Sequence, residues 1–234
     1  MPELFKGGFL HMATDPLAQS GAPQLWADCP VNRWAVVVAL ILLIIELSEI
    51  LRIYPHLLRC LGRWKGNADL EHSVSLARTR NTVAFVFGII FCIIADRCGL
   101  VAPTFKLRLP PGWQLAVTTG LIAGATLIRR IAYLCSKFRS STSEYAMTVR
   151  HSIYNYLILL TTLIFLSVLV MVPLHAPDTL ARAVLYAECA VFFLLFLIRQ
   201  GQILRSRCGT LATILYLCAL EILPVGILIF ACTL

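Results

Sequence analysis

The sequence predicts an all-α polytopic transmembrane bundle of about six spans, with both termini on the non-cytoplasmic face. Three observations predict it: an excess of apolar residues, apolar runs of span length, and a lopsided distribution of cations among the connecting loops. Of the 234 residues, 59% are hydrophobic and 14% charged, whereas soluble domains average about 45–50% and about 25%. Mean hydropathy is +0.82. A globule of this size still needs a large polar surface, so the apolar excess has no place to hide in water. A bilayer core of ~30 Å takes about 20 apolar residues per helix. The chain therefore holds six spans with short loops and no sizeable soluble domain.

Residues 1–33 are polar and contain Pro and Gly, without a basic segment followed by an apolar run. They read as a short flexible tail and not as a signal peptide. Residues 34–234 form a single six-helix transmembrane domain. Its spans are expected at about 34–53, 81–101, 113–130, 152–174, 179–198 and 210–232. The first meets Glu46 and Glu49 late, and the second meets Asp96 and Arg97. The third ends at Arg129-Arg130 and is short enough to sit nearly upright. The fourth is uncharged, the fifth carries Arg182 and Glu188, and the sixth carries Glu221 and Pro224.

Loop cations orient the bundle. The connections after spans one, three and five hold 14 Lys and Arg, against 4 on the opposite side, with Arg97 and Arg182 set aside as embedded. Cytoplasmic loops carry such an excess, so both ends are expected outside. The net charge of +8 then belongs to the ends of apolar segments, where cations meet anionic headgroups. Lipid is the expected partner, and nucleic acid is not. In the first cytoplasmic loop Asn67–Ser75 has the makings of a small surface helix. On the outer side Thr104–Leu109 alternates apolar and polar residues and reads as interfacial, with Lys106 and Arg108 snorkelling.

The ionisable residues inside the spans carry the most chemistry. A lone charge at mid-bilayer costs at least about 2.5–3.5 kcal/mol on insertion scales, so such groups face the interior and find partners. Glu188 and Glu221 both fall near the midplane by helical rise, and antiparallel neighbours could bring them face to face. Two readings stay open: a proton or cation site, or a glutamate that locks helix packing. Glu46 is a third such group. Nearer the outer face, Asp96 and Arg97 share a depth with Arg182, and an Asp96–Arg182 pair would pin spans two and five. Glu49 and Arg52, three apart, can pair at the cytoplasmic boundary.

In span three, Ala116, Gly120 and Gly124 recur every four residues and permit close helix approach. Packing within the monomer and a homodimer seam both fit. Pro224 cannot donate a backbone hydrogen bond and frees the carbonyl of Leu220, which makes either a static bend or an exposed oxygen beside Glu221. The nine cysteines show no metal spacing. Cys29, Cys98 and Cys232 are expected near the oxidising face, with or without a disulfide among them.

No metal or cofactor is expected. The five histidines lie in the tail, the loops and at span ends, away from where a haem would need axial ligands. Motifs for metalloproteases, nucleophile elbows and phosphate loops are absent from the sequence, and no catalytic residue is assigned.

The closing helix reads Leu215-Tyr216-Leu217-Cys218-Ala219-Leu220-Glu221-Ile222-Leu223-Pro224. This stretch resembles the end of an uncharacterised family of multi-pass inner-membrane proteins of Bacteroidota, grouped under a domain of unknown function. With the basic loop before span two and the spacing of later spans, the resemblance covers roughly residues 50–234. The chain lacks the basic residue that the family pattern carries at its C-terminus. The resemblance implies the inner membrane of a Gram-negative envelope and supplies no reaction. It directs attention to Tyr216, Cys218, Glu221 and Pro224.

Two functions follow as expectations. One is a non-enzymatic subunit, assembly factor or scaffold of an envelope complex, partnered by other membrane proteins or a second copy. The other is a small proton-coupled transporter or channel built on the buried carboxyls.

Overall fold

A computed structural model describes residues 26, 29–62, 73–101, 103, 106, 109–135, 143–174, 177–205 and 209–233. Among them the secondary structure is helical throughout: α1 (Pro30–Ile45), α2 (Leu47–Gly62), α3 (Val74–Arg97), α4 (Pro111–Cys135), α5 (Ser143–Met171), α6 (Asp178–Arg205), α7 (Thr210–Leu217), a π-helical turn (Cys218–Ile222) and α8 (Leu223–Thr233). Among the described residues five helices are long and apolar enough to cross a membrane, the last being α7, the π turn and α8 in series. α1 and α2 meet the same test of length and composition only together, and they are bent by 71°.

The stretch expected as a span over 34–53 is bent at Glu46, where α1 gives way to α2. Glu46 leaves helical geometry at φ −85° and ψ 1°, its N–H still bonded to the Leu42 carbonyl. A straight continuation would end the span near Glu49 and Arg52. Turning instead lets α2 lay one apolar face on the bundle. α3, α4, α5 and α6 outrun the expected spans at the cation-rich end, α5 beginning at Ser143 and α6 ending at Arg205, while α3 and α5 stop short at the other, at Arg97 and Met171. Hydropathy marks the thickness of the lipid, whereas a helix continues into the headgroups until something stops it.

α3 is the hub. Half of its span is enclosed, against 6% for α4. Val83, Ala84 and Phe87 of α3 pack with Ile50, Ile53, Leu57 and Cys60 of α2 and with Ile158 and Leu159 of α5. One turn further along, Val86, Ile90, Ile93 and Ile94 meet Ala39 of α1, Ile164 of α5 and Leu185 of α6. A Schellman motif ends α3: Gly99 takes φ 65°, and the N–H groups of Gly99 and Leu100 return to the carbonyls of Asp96 and Ala95. Only glycine holds that backbone without strain, and it turns the chain back over the helix end.

The tail reaches further into the fold than expected. Asn32 is fully buried in α1, donating to the Trp26 carbonyl at 3.0 Å. Residues 1–25, 27 and 28 of the tail, and the 67–72 portion of the surface-helix expectation, lie outside the described residues. Ser73 directly precedes α3, and Val74 and Ser75 open it.

Candidate functional site

The most concentrated polar chemistry in the interior surrounds Glu221, which is 3% exposed. Its position depends on the π turn. Pro224 has no N–H to return to Leu220, and the Leu223 N–H reaches back five residues to the Cys218 carbonyl. The widened turn absorbs the proline and directs the carboxyl into the bundle. Arg129 of α4 clamps it: Nε donates to Oε2 and Nη2 to Oε1, both at 2.8 Å. Tyr133, one turn along α4, donates its hydroxyl to Oε1 at 2.5 Å. The guanidinium lies 4.9 Å from the Tyr133 ring centroid and 5.9 Å from that of Phe196, within cation–π range.

Gln200 of α6 extends the network. Its Nε2 donates to the Val149 carbonyl at 2.8 Å and reaches Glu221 Oε1 and the Tyr133 hydroxyl at 3.3 Å. Its Oε1 accepts from the Ser152 hydroxyl of α5 at 3.0 Å. Four membrane helices are thereby tied through one carboxylate. A buried ion pair with parallel N–H···O bonds and two further donors meets the condition under which desolvation is compensated.

Glu188 and Glu221, expected face to face, do not meet. Gln200 touches Glu221, and Glu188 stands twelve residues earlier on the same helix, about 18 Å away along the axis. Glu188 instead accepts a hydrogen bond from Ser167 of α5, and its Oε2 is buried without a hydrogen-bond partner among the described residues. The charged partner of Glu221 comes from α4.

The expected Asp96–Arg182 pair is also replaced. Asp96 Oδ1 lies 2.6 Å from Lys106 Nζ and accepts from the Thr118 hydroxyl at 2.7 Å, while Oδ2 accepts from the Trp26 indole at 2.6 Å. Lys106 also donates to the Val101 carbonyl at 2.9 Å and is 4% exposed. It is turned inward and does not snorkel. The turn at Gly99 brings the loop within reach, so a cation ten residues on outcompetes one on another helix. Arg182 lies beside Gly99, and Arg97 sits over the Trp26 ring at 5.4 Å.

Glu49 and Arg52 approach to 3.9 Å, and Glu49 also accepts from Thr79 at 3.2 Å. Glu46 is half-buried at the break between α1 and α2. Tyr216 packs against the cluster of Tyr133, Val149, Ile203, Leu204 and Leu220. Cys218 opens the π turn as an exposed free thiol, and Pro224 is buried. Cys29 and Cys98 are free thiols.

Ala116 and Gly120 are exposed, and a Cβ added at Gly120 or Gly124 would meet nothing within 4 Å. This corrects the expectation of close packing by these residues inside the monomer. α4 turns Thr118, Arg129 and Tyr133 inward, because buried polar groups must find partners, and the small residues are left outward.

Arg129, Tyr133, Gln200, Ser152, Lys106 and Thr118 were not singled out from the sequence as site residues. Arg129 reads as a loop cation because Arg130 follows it. The clue was that Arg129 and Tyr133, one turn apart, share a face with Thr118 three turns earlier. Comparison with family models, curated proteins and solved structures finds no match to this chain. The resemblance of the closing helix rests on its own residues.

Proposed function

We propose that the chain is a non-enzymatic component of a cell inner membrane, acting as a subunit, assembly factor or scaffold of an envelope complex. The observation that carries this reading is the saturation of Glu221. Both carboxylate oxygens are engaged by Arg129, with Tyr133 and Gln200 on Oε1, so the carboxyl serves helix packing and is not open to an ion. Asp96 is likewise committed to Lys106, Thr118 and Trp26. The excess of cations in one set of loops supports a cytoplasmic placement of that end. The outward small residues of α4 suit a second helix, whether of another protein or of a second copy.

The test is the mass and composition of the particle extracted in mild detergent. The reading expects a complex larger than the lone chain, diminished by Gly120→Leu with Gly124→Leu. A stable lone monomer would overturn it.

A second reading, a small proton-coupled transporter or channel, is favoured by Glu188, whose Oε2 is buried without a partner among the described residues. It predicts a proton flux across reconstituted vesicles that Glu188→Gln abolishes. No flux above empty vesicles would remove it.

A further inference from the structure

α2 does not run alongside one neighbour. Near its start Glu49 meets Thr79 of α3. Near its end Asn155 of α5 lies 3.9 Å from the Cys60 sulfur, and the Leu61 carbonyl accepts from Arg199 of α6 at 2.7 Å. Thr79 stands between Arg78 and Arg80, and Arg199 is six residues before the end of its helix. Asn155 is four residues inside the apolar stretch His151–Met171 of α5, so the helix crosses these three spans near one end, after the 71° bend from α1.

Its surface has three sectors. Ile50, Ile53, Leu57 and Cys60 are buried against the bundle. Leu51 and Leu58, seven apart and so on one stripe, are 67% and 50% exposed. Arg52 and Arg59, also seven apart, form an exposed stripe about 100° around from the leucines. Of the other ionisable groups on α2, Glu49 is held by Thr79 with a long contact to Arg52, and His56 is half-buried. Arg59 has no acidic partner among the described residues. Exposed leucines beside exposed arginines, on a helix that crosses three spans near one end, match the boundary between acyl chains and phosphates.

We propose that α2 is an interfacial helix whose Arg52 and Arg59 bind the phosphates of anionic phospholipid headgroups while Leu51 and Leu58 insert among the acyl chains. The occupant is a lipid because the leucine stripe adjoins the cations, an arrangement that a free phosphate or an acidic peptide in water would leave unused. Anionic lipids draw basic segments to the membrane surface, and the guanidinium fork suits phosphate oxygens.

The experiment measures thermal unfolding of the full chain in detergent with added phosphatidylglycerol, phosphatidylcholine of the same acyl chains, or inorganic phosphate. The expected result is a higher midpoint with phosphatidylglycerol than with phosphatidylcholine, and no effect of phosphate. The preference is expected to fall by more than half in an Arg52→Gln, Arg59→Gln variant. It should persist in an Arg130→Gln, Arg205→Gln variant, which loses the same charge from exposed residues of α4 and α6. A wild-type chain without the preference would overturn the proposal, whether or not the variants fold. So would equal loss in both variants, which means diffuse attraction, or a full effect of inorganic phosphate.

Discussion

Lys106 and Asp96 are joined at 2.6 Å across the end of α3, and both side chains are buried. The contact folds the segment after Gly99 back over the helix and fixes Asp96 between Thr118 of α4 and the indole of Trp26. Lys106→Met removes the cation and leaves a buried carboxylate with two neutral donors. The expected loss is about 3 kcal/mol, the lower range for breaking a buried pair. Thermal unfolding in a fixed detergent measures it, and faster proteolysis within residues 98–110 should accompany it. An unchanged midpoint would show that the pair does not hold the loop.

Tyr133→Phe removes the hydroxyl that donates to Glu221 and stands near the Gln200 amide, while keeping the ring beneath Arg129. The cost should be about 1–2 kcal/mol, as for a hydrogen bond to a charged group inside a membrane protein. Unfolding of the variant against the wild type checks this. An unchanged midpoint would mean that the ring and not the hydroxyl matters.

Gly120→Leu and Gly124→Leu place side chains in open space. Monomer stability should change by no more than about 0.5 kcal/mol, measured by unfolding at low protein concentration. Association, read from particle mass, should weaken. Loss of monomer stability would place another helix where the structure shows none.

Cys98 lies just beyond the end of α3, and burial raises its thiol above the ordinary value. Arg97 and Arg182 oppose that shift, and Asp178 reinforces it. Alkylation needs the thiolate, so Cys98 should react more slowly than an exposed cysteine at pH 8 and catch up only as the pH climbs past the usual thiol range. The sign for stability follows. A raised folded value favours the neutral thiol, so the contribution is full at neutral pH and fades as alkaline pH passes through it. Peptide mass spectrometry after timed labelling checks the rate. A fast reaction at pH 7 would contradict the burial.

The helical bundle was legible because lipid imposes one requirement on every span, and runs such as Ser152–Leu174 meet it in full view. The break at Glu46 was not, because hydropathy reads Trp34–Ile53 as continuous and carries no term for α2 packing across α3 and α5. Partner choice was the other gap. Glu221 was recognisable as a buried carboxyl, but its cation sits at 129, beside a second arginine that faces outward. Asp96 was matched to a cation of similar depth, while the closer one comes from a loop that Gly99 turns back. Depth along a helix can be counted in residues, but the direction in which a loop returns cannot. The π turn at Cys218–Ile222 was foreshadowed by Pro224 as a freed carbonyl, and its effect on the aim of Glu221 required the backbone.

The central claim is that Arg129 and Glu221 act as one structural unit, and a double-mutant cycle tests it most directly. Arg129→Met, Glu221→Leu and the double variant are compared with the wild type by unfolding in a single detergent. Each single variant should lose about 3–5 kcal/mol by stranding a buried charge. The double variant should be more stable than the sum of those losses implies, with a coupling of about 2 kcal/mol or more. Additive losses without coupling would contradict the account.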